Sequence, residues 1–262
     1  MVLFVYLLHM NKKIQFLLPL LLFVCTSCTL STSISVLKDP PTDSFVKVFK
    51  ELEVTRCLKA NPDKCETRKF YTSGSGIIID IAPGYTTVLS AGHVCEEGST
   101  ILPQDKLYQY SWNEKLKILD KNKNFHDGMT ILTSQATPNS SDLCTIYSET
   151  LQYLGRDNKV KLAPRAPRVG EDVYYIGAPL GIYHPPTALI VRGTFSGKID
   201  NFSSLASVPA AGGASGSPIL SLDNRVYGVL FAVHPAFKHA TIITGYQETK
   251  KFIEKTRKLL KK

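Results

Sequence analysis

The run Gly213-Ala214-Ser215-Gly216-Ser217-Pro218 places one serine hydroxyl in a tight, glycine-rich turn. Glycine allows sharp backbone turns in which N–H groups point outward, and such groups can hold the oxyanion that develops during acyl transfer. A serine hydroxyl is a weak nucleophile at neutral pH. It therefore needs a base within hydrogen-bond reach and an acceptor that orients the base.

Two upstream segments offer these partner groups. His93 follows the small residues Ser90-Ala91-Gly92 at the end of an apolar run, where its ring can turn into a cleft. Asp142 opens the apolar stretch Leu143-Cys144-Thr145-Ile146. The base, the acceptor and the nucleophile would thus occur in the order His, Asp, Ser.

Asp127 is the rival acceptor. It precedes a glycine, and an Asp-Gly pair is typical of a turn between strands; no apolar strand starts directly at it, so Asp142 is the stronger candidate. We predict that His93, Asp142 and Ser215 are catalytic and that the N–H groups of Gly213 and Ser215 form the oxyanion hole. The other five histidines are interpreted as structural.

The elements that must position these side chains are mostly strands. Seventeen glycines and fifteen prolines separate many short apolar runs, a pattern that favours an all-β architecture. Strands are expected at 44–54, 69–80 and 85–89, with further segments up to about 148. Residues 150–168 are expected to form a linker. Further strands are expected at 171–176, 189–199, 217–221, 225–233 and 241–244. From Gln247 onward, the spacing of Phe252, Ile253, Thr256, Leu259 and Leu260 predicts an amphipathic helix.

Four motifs, in this order, resemble the trypsin/chymotrypsin superfamily of serine endopeptidases, especially its HtrA-like bacterial branch. They are Ser73-Gly74-Ser75-Gly76, Ser90-Ala91-Gly92-His93, Asp142-Leu143-Cys144 and the segment 169–181. The resemblance covers roughly residues 44–255. It implies two six-stranded antiparallel barrels (chymotrypsin-like), at 44–150 and 151–246, with a C-terminal α-helix at 247–262. It also implies hydrolysis of a polypeptide substrate through an acyl-enzyme, with no cofactor and no metal.

Departures from the family bear on specificity and regulation. Pro209 occupies the position where trypsin-like enzymes carry aspartate, so a preference for Lys or Arg is not expected. A substrate pocket is predicted that accepts a small or apolar side chain, lined by Pro209, Ala210, Phe231, Ala232 and Val233. His234 offers an alternative, which is recognition of an acidic or amide side chain.

Ala214 and Ser217 also depart from the family. Ala214 replaces the acidic residue that receives the freed N-terminus in digestive zymogens, so activation by that route is not expected. Ser217 replaces the usual second glycine after the nucleophile. Too little chain follows the second barrel for the PDZ domain of HtrA proteins.

The N-terminus is typical of an export signal. Lys12 and Lys13 precede a short apolar region, residues 14–25, so residues 1–28 are predicted to be a signal peptide and 29–43 a flexible tether. Export to the periplasm or the extracellular space follows. Translation from Met10 is one alternative, and a retained anchor beginning at Met1 is another. Small residues before Cys28 resemble a lipobox, so lipidation of Cys28 and membrane attachment form a further alternative.

Four cysteines outside the signal segment fit an oxidising destination. Cys57 and Cys65 flank the turn signal Asn61-Pro62-Asp63, and a bridge between them would staple a hairpin. Cys95 and Cys144 each lie two residues after His93 and Asp142, so contact between those two would bring the cysteines together. The alternative is buried free thiols. No spacing suggests zinc.

The net charge of +9 does not indicate nucleic-acid binding. Residues 247–262 hold seven Lys or Arg against two Asp or Glu, and no basic stripe is interleaved with aromatic residues. Two functions remain beside the exported endopeptidase. One is a catalytically silent binding module on the same fold, and the other is an esterase with the same triad. Oligomeric state is left open.

Overall fold

The computed structural model describes residues 37–95, 106–135, 137, 139–153 and 160–261. The predicted signal peptide (1–28, with Cys28) and residues 29–36 of the predicted tether lie outside the described residues. The strands are β1 Phe45–Leu58, β2 Asn61–Ile79, β3 Thr87–Ser90, β4 Tyr108–Leu119, β5 Phe125–Ser134, β6 Leu143–Tyr147, β7 Lys161–Leu162, β8 Asp172–Gly177, β9 Tyr183–His184, β10 Thr187–Lys198, β11 Ser203–Ser207, β12 Pro218–Ser221, β13 Arg225–Val233 and β14 Thr241–Thr244. The helices are α1 Gly92–Cys95 and α2 Tyr246–Leu259.

The first six strands close into a barrel in the order β1-β2-β3-β6-β5-β4, with every pairing antiparallel. Alternating side chains of β1 point inward, because successive residues of a strand face opposite sides. Val46 and Val48 on β1 are fully buried, as are Ile118 on β4 and Ile146 on β6. These branched apolar side chains fill the barrel, and their burial supplies its main stabilisation.

The second barrel contains β8 and β10 to β14. Its order is β11-β14-β13-β12-β8-β10, and pairing of β10 with β11 closes it. Val173, Tyr175 and Ile219 are among its buried core residues. Two six-stranded antiparallel barrels with a C-terminal helix confirm the predicted fold class.

Three strands of the first barrel continue well beyond it. β1 pairs with β2 and β4 along nearly its whole length, whereas β3 pairs with β2 only at Ile77–Ile79 and β5 pairs with β4 only at Leu116–Leu119. The residues beyond the barrel (50–58, 61–73 and 108–115) form a projecting three-stranded sheet, here called the arm. A disulfide joins Cys57 and Cys65 near its tip.

Two predicted turns are wrong in detail. The β1–β2 turn is at Lys59-Ala60, and Asn61-Pro62-Asp63 already belongs to β2. Proline is tolerated there because β2 is an edge strand in the arm. Asp127 lies inside β5, not in a turn, and its carboxylate pairs with Lys117 on the neighbouring strand.

Gly128 explains why the Asp-Gly pair misleads. A Cβ at that position would lie 2.8 Å from a methyl group of Ile146, so the glycine is needed for close packing inside the barrel. The serine-rich strand β11 was not predicted either, because its sequence lacks β-branched residues and contains a single large apolar residue, Leu205. It pairs with both β10 and β14.

Helix α2 follows the second barrel in sequence and also packs on the first. Phe252, Ile253 and Thr256 are buried, and Thr256 exchanges a hydrogen bond with Thr145 of β6. Leu259, predicted on the apolar face, is 42 % exposed instead. Within the described part of the chain, no helix combines the length and apolar character needed to cross a bilayer.

Candidate active site

His93 and Asp142 meet at the end of the first barrel. Oδ2 of Asp142 lies 2.6 Å from Nδ1 of His93, and Oδ1 accepts a 2.7 Å hydrogen bond from the His93 backbone N–H. Asp142 is buried (4 % exposed), whereas the His93 side chain is 42 % exposed. A carboxylate held in this way fixes the orientation of the ring and leaves Nε2 facing outward.

Gly92 makes this close approach feasible. A Cβ at position 92 would overlap the carbonyl oxygen of Ser134 and would lie 2.5 Å from Oδ1 of Asp142. The absence of a side chain at Gly92 therefore leaves room for the carboxylate beside the backbone of α1.

A disulfide between Cys95 and Cys144 reinforces the same contact. Cys95 is the last residue of α1, and Cys144 is the second residue of β6. The bridge links the segment that carries His93 to the segment that carries Asp142, so both expected disulfides are present.

Glycines shape the turn around Ser215. Gly213 and Gly216 have φ values of +90° and +91°, which L-residues with side chains rarely adopt. A Cβ on Gly216 would also overlap the carbonyl oxygen of Ser75. Among the described residues, the N–H groups of Gly213 and Ser215 donate no hydrogen bond within the protein, whereas those of Ala214, Gly216 and Ser217 each do.

Ser75 connects the two barrels at this turn, a role that the sequence interpretation missed. Its N–H donates to the carbonyl oxygen of Ser215 at 2.7 Å, and its hydroxyl donates to that of Gly213 at 2.9 Å. The same hydroxyl accepts from the Ala178 N–H at 3.0 Å. The Ser-Gly-Ser-Gly motif was the available signal, but nothing local reveals the partners.

Ser217 is fully buried, and its hydroxyl has no hydrogen-bond partner in the described structure. A Cβ on Gly177 would overlap this hydroxyl. The absence of a side chain at Gly177 thus accommodates the serine that stands where the family usually has glycine.

One cavity of about 660 Å³ contains both His93 and Ser215. Gly212 and Gly213 line it beside them, and the rest of its wall comes mainly from the arm. No hydrogen bond joins Nε2 of His93 to Oγ of Ser215 among the residues described. In enzymes without substrate such bonds are often long and shorten only in the substrate complex.

The five predicted pocket residues lie in the second barrel, apart from that cavity's wall. Phe231, Ala232 and Val233 end β13, and Pro209 and Ala210 precede the nucleophile turn. The Pro209 carbonyl accepts a 2.9 Å hydrogen bond from Tyr175, and Ala210 is buried. Their role in specificity stays a prediction.

A second histidine–carboxylate pair occupies a different place. Nε2 of His126 lies 2.9 Å from Oδ2 of Asp120, which is 1 % exposed. Burial alone would raise the pKa of Asp120, but hydrogen bonds from His126 and from the N–H groups of Asn124 and Asn122 outweigh it and lower the pKa. Nδ1 of His126 lies 2.9 Å from the hydroxyl of Thr150, and these three residues are not among those that line the cavity with Ser215. In the residues that the structure covers, no cluster of three His, Cys, Asp or Glu side chains could hold a metal ion.

Comparison with known proteins identifies the fold. It is similar to the Rv3671c protease of M. tuberculosis in its active form, with a TM-score of 0.55, 15% identity and 82% of each chain covered. It is also similar to the serine endoprotease from Yersinia pestis, with a TM-score of 0.53, 14% identity and coverage of 79% of this chain and 62% of that one. Curated protein sequences gave no match. The sequence profile of the trypsin-like peptidase domain matches residues 74–229, more than half of the chain. This protein therefore belongs to the trypsin-like peptidase family.

Proposed function

We propose that the protein is an exported serine endopeptidase that uses Ser215, His93 and Asp142 as a catalytic triad. The contact that carries this proposal is the buried Asp142 carboxylate on Nδ1 of His93, at the mouth of the cavity that also contains Ser215. Family membership supports peptidase chemistry, and polypeptide is the substrate class that it implies.

In this mechanism Oγ of Ser215 attacks the peptide carbonyl carbon while Nε2 of His93 takes the hydroxyl proton. Asp142 holds the ring and stabilises the imidazolium that forms. When the tetrahedral intermediate collapses, the C–N bond breaks and His93 gives its proton to the leaving amine. Water then attacks the acyl-enzyme, with His93 again acting as base, and releases Ser215.

The N–H groups of Gly213 and Ser215 would stabilise the oxyanion. Neither donates to an acceptor in the described residues, and Gly213 and Gly216, with their positive φ values, shape the turn that presents them. Removing one preorganised oxyanion donor from a serine protease costs roughly 10²–10³ in kcat.

Export is the second part of the proposal. The two disulfides suit an oxidising compartment, and the sequence predicts a signal peptide at 1–28. Whether Cys28 carries a lipid can be determined by mass spectrometry of the mature N-terminus. A diacylglyceryl mass on Cys28 would place the protein on a membrane, and an unmodified N-terminus would make it a free secreted enzyme.

A fluorophosphonate probe tests the enzyme against the silent binding module. Folded protein should label on Ser215, and Ser215→Ala should abolish labelling and lower peptide turnover by about 10⁶-fold. Asp142→Asn should lower turnover by about 10⁴-fold, because the ring would take the wrong tautomer. Asp127→Asn is the matched control and should retain turnover. Folded wild-type protein that neither labels nor cleaves would refute the peptidase.

A further inference from the structure

The arm forms the part of the cavity wall that extends away from Ser215. Residues directly opposite each other on β4, β1 and β2 point to the same side of the sheet, so one face of the arm forms the cavity wall. Closest to Ser215 this wall is polar, with Lys50 on β1 and Thr72 and Ser73 on β2. Farther along the arm it is apolar, with Leu52 and Val54 on β1 and Phe70 on β2. Phe70 is 51 % exposed although it is a large aromatic residue.

The wall becomes charged toward the tip of the arm. Arg56 and Arg68 both donate to Glu66, at 2.7 Å and 2.6 Å. The hydrogen bonds from Arg68 and Arg56 lower the pKa of Glu66, which keeps it ionised. One carboxylate between two guanidinium groups leaves the trio with a net charge of +1, and all three side chains are substantially exposed.

Among the described residues, no strand pairs with the outer edge of β2 in the arm. β1 covers one side of β2, and on the other side β3 pairs only at Ile77–Ile79 within the described structure. Residues 61–72 are almost all exposed, so a long row of backbone N–H and C=O groups faces solvent. Such an edge is a template for another strand, and proteins that bind extended peptides use it in this way.

Geometry sets which part of a substrate could reach this edge. Ser75, on the same strand, donates to the carbonyl oxygen of Ser215, so β2 runs outward from the nucleophile. Among the β2 residues that line the cavity with Ser215, Ser73 is nearest to Ser75 in the sequence, so it is taken as the level of the scissile bond. At about 3.4 Å per residue, Phe70 lies roughly 10 Å and Arg68 roughly 17 Å along the strand from Ser73. An extended substrate strand would therefore pass Phe70 about three residues, and Arg68 about five residues, from the scissile bond.

The positions of the two barrels indicate which side of the scissile bond, acyl or leaving group, would contact the arm. The pocket predicted for the acyl side belongs to the second barrel, at Phe231 and its neighbours. The arm belongs to the first barrel, beyond Ser215. The chain that meets the arm is thus the leaving-group side of the substrate.

We propose that the arm binds about five residues on the leaving-group side of an extended polypeptide, which adds as a strand to the free edge of β2. An apolar side chain would pack on Phe70, and an acidic side chain would approach Arg68. This inference rests on the proposed peptidase function and specifies its substrates as extended chains rather than short peptides.

The test compares matched peptides. A cleavage site is first mapped by mass spectrometry in a reduced, alkylated, unfolded protein. Two peptides are then made with the same acyl side, one ending one residue after the bond and the other six residues after it. The long peptide should have a kcat/KM about 10- to 100-fold higher. An acidic residue at the fifth position should be preferred over its amide by about threefold or more.

Neighbouring residues of β2 provide matched controls, because they lie on opposite faces of the arm. Phe70→Ser should reduce the long-to-short ratio by about fivefold or more, whereas Tyr71→Ser, on the outer face, should leave it unchanged. Arg68→Gln should bring the preference for acid over amide close to one, and Lys69→Gln should retain it. Phe70, Tyr71, Arg68 and Lys69 all have largely exposed side chains, so these variants are expected to fold.

The outcomes separate this inference from the proposed function. Equal cleavage of long and short peptides by an active enzyme would overturn the inference that the arm binds substrate, but not the proposed peptidase function. An equal effect of Tyr71→Ser and Phe70→Ser would also overturn it. Light scattering that shows a dimer, dissociated by Phe70→Ser with no change in the ratio, would assign the edge to a second copy. Failure to cleave any peptide or to label with fluorophosphonate would overturn the peptidase itself.

Discussion

At the scale of single residues, the fully buried Ser75 links the nucleophile turn to the first barrel. Its backbone N–H holds the Ser215 carbonyl, and its hydroxyl bridges the Gly213 carbonyl and the Ala178 N–H. Ser90 in turn donates to the Ser75 carbonyl at 2.7 Å. In the proposed mechanism Ser75 is thus a positioning residue, since it would act on the proposed oxyanion donors without touching the substrate.

Removing this hydroxyl tests its role. Ser75→Ala keeps the backbone bond to Ser215 but removes the partner of the buried Ala178 N–H and of the part-buried Gly213 C=O, which should cost about 1–3 kcal/mol. We expect kcat to fall at least tenfold with KM nearly unchanged, because the oxyanion donors lose their fixed position. Urea unfolding and peptide kinetics measure the two effects.

Ser196→Ala is the control for that substitution. The hydroxyl of Ser196 bonds only to the exposed Ser207, so its loss should change neither stability nor kcat appreciably. A Ser75→Ala protein with wild-type kcat would show that the turn does not need the hydroxyl.

At the scale of elements, α1 and β6 form the unit that carries the histidine and the aspartate. The Cys95–Cys144 disulfide joins them across 49 residues of chain, whereas Cys57–Cys65 closes only eight within the arm. Loop closure removes more entropy from the unfolded chain when the loop is longer. The two bridges should therefore contribute unequally, and to different functions.

Double substitutions separate the two bridges. Cys95→Ala with Cys144→Ala should lower the free energy of unfolding by about 3–4 kcal/mol, and Cys57→Ser with Cys65→Ser by about 2–3 kcal/mol. Loss of the Cys95–Cys144 bridge should also slow fluorophosphonate labelling, because the His93–Asp142 contact loosens. Loss of the Cys57–Cys65 bridge should instead lower the ratio of kcat/KM for the long peptide to that for the short peptide. Chemical denaturation and labelling rates under non-reducing conditions measure these effects, and the reverse assignment would contradict the roles given to the bridges.

At the scale of the whole molecule, a few contacts outside the active site bind the barrels together. Ser141 on the first barrel donates to the Phe202 carbonyl on the second at 2.6 Å, and Lys47 donates to that of Gly181 at 3.0 Å. Helix α2, which follows the second barrel, adds a further contact between the barrels, because Arg257 near its end donates to the Ile81 carbonyl of the first barrel. The site thus depends on two barrels held in one relative position.

Acid stability of the second barrel should depend on Glu171. Burial would raise the pKa of Glu171, but hydrogen bonds from Arg165, Tyr227 and the Arg168 N–H outweigh it and lower the pKa from 4.5 to about 2. A lowered carboxyl pKa stabilises the fold above the unfolded value and loses that contribution as pH falls toward the folded value. Glu171→Gln should cost about 1–3 kcal/mol at pH 7.

The difference between wild type and Glu171→Gln should shrink between pH 4.5 and pH 2, measured by denaturant unfolding at each pH. Glu254→Gln, on the exposed face of α2, is the control and should show no such dependence. A difference that stays constant down to pH 2 would mean that Glu171 does not stabilise the barrel through its charge.

The sequence alone determined which residues could do the chemistry and what kind of elements carry them. Gly213 and Gly216 indicate a special backbone conformation locally, and alternation of apolar residues along β1 predicts a strand with a buried face. These signals are local, so they can be recognised in the sequence without knowledge of the fold. They predicted strands, the helix and the candidate triad, and the resemblance to a known family added the two barrels; the turn predicted at Asp127 was wrong.

Only the tertiary structure determines which residues from distant parts of the chain contact each other. Whether Asp142 reaches His93, and which carbonyls Ser75 holds, depends on strand register and on the packing of one barrel against the other. The arm shows the same limit: the residues of β1 and β2 are evident as strands, yet their length beyond the barrel follows from where β3 and β5 stop pairing. Distances between segments far apart in the chain are set by closure of the barrels, and no local pattern of residues encodes them.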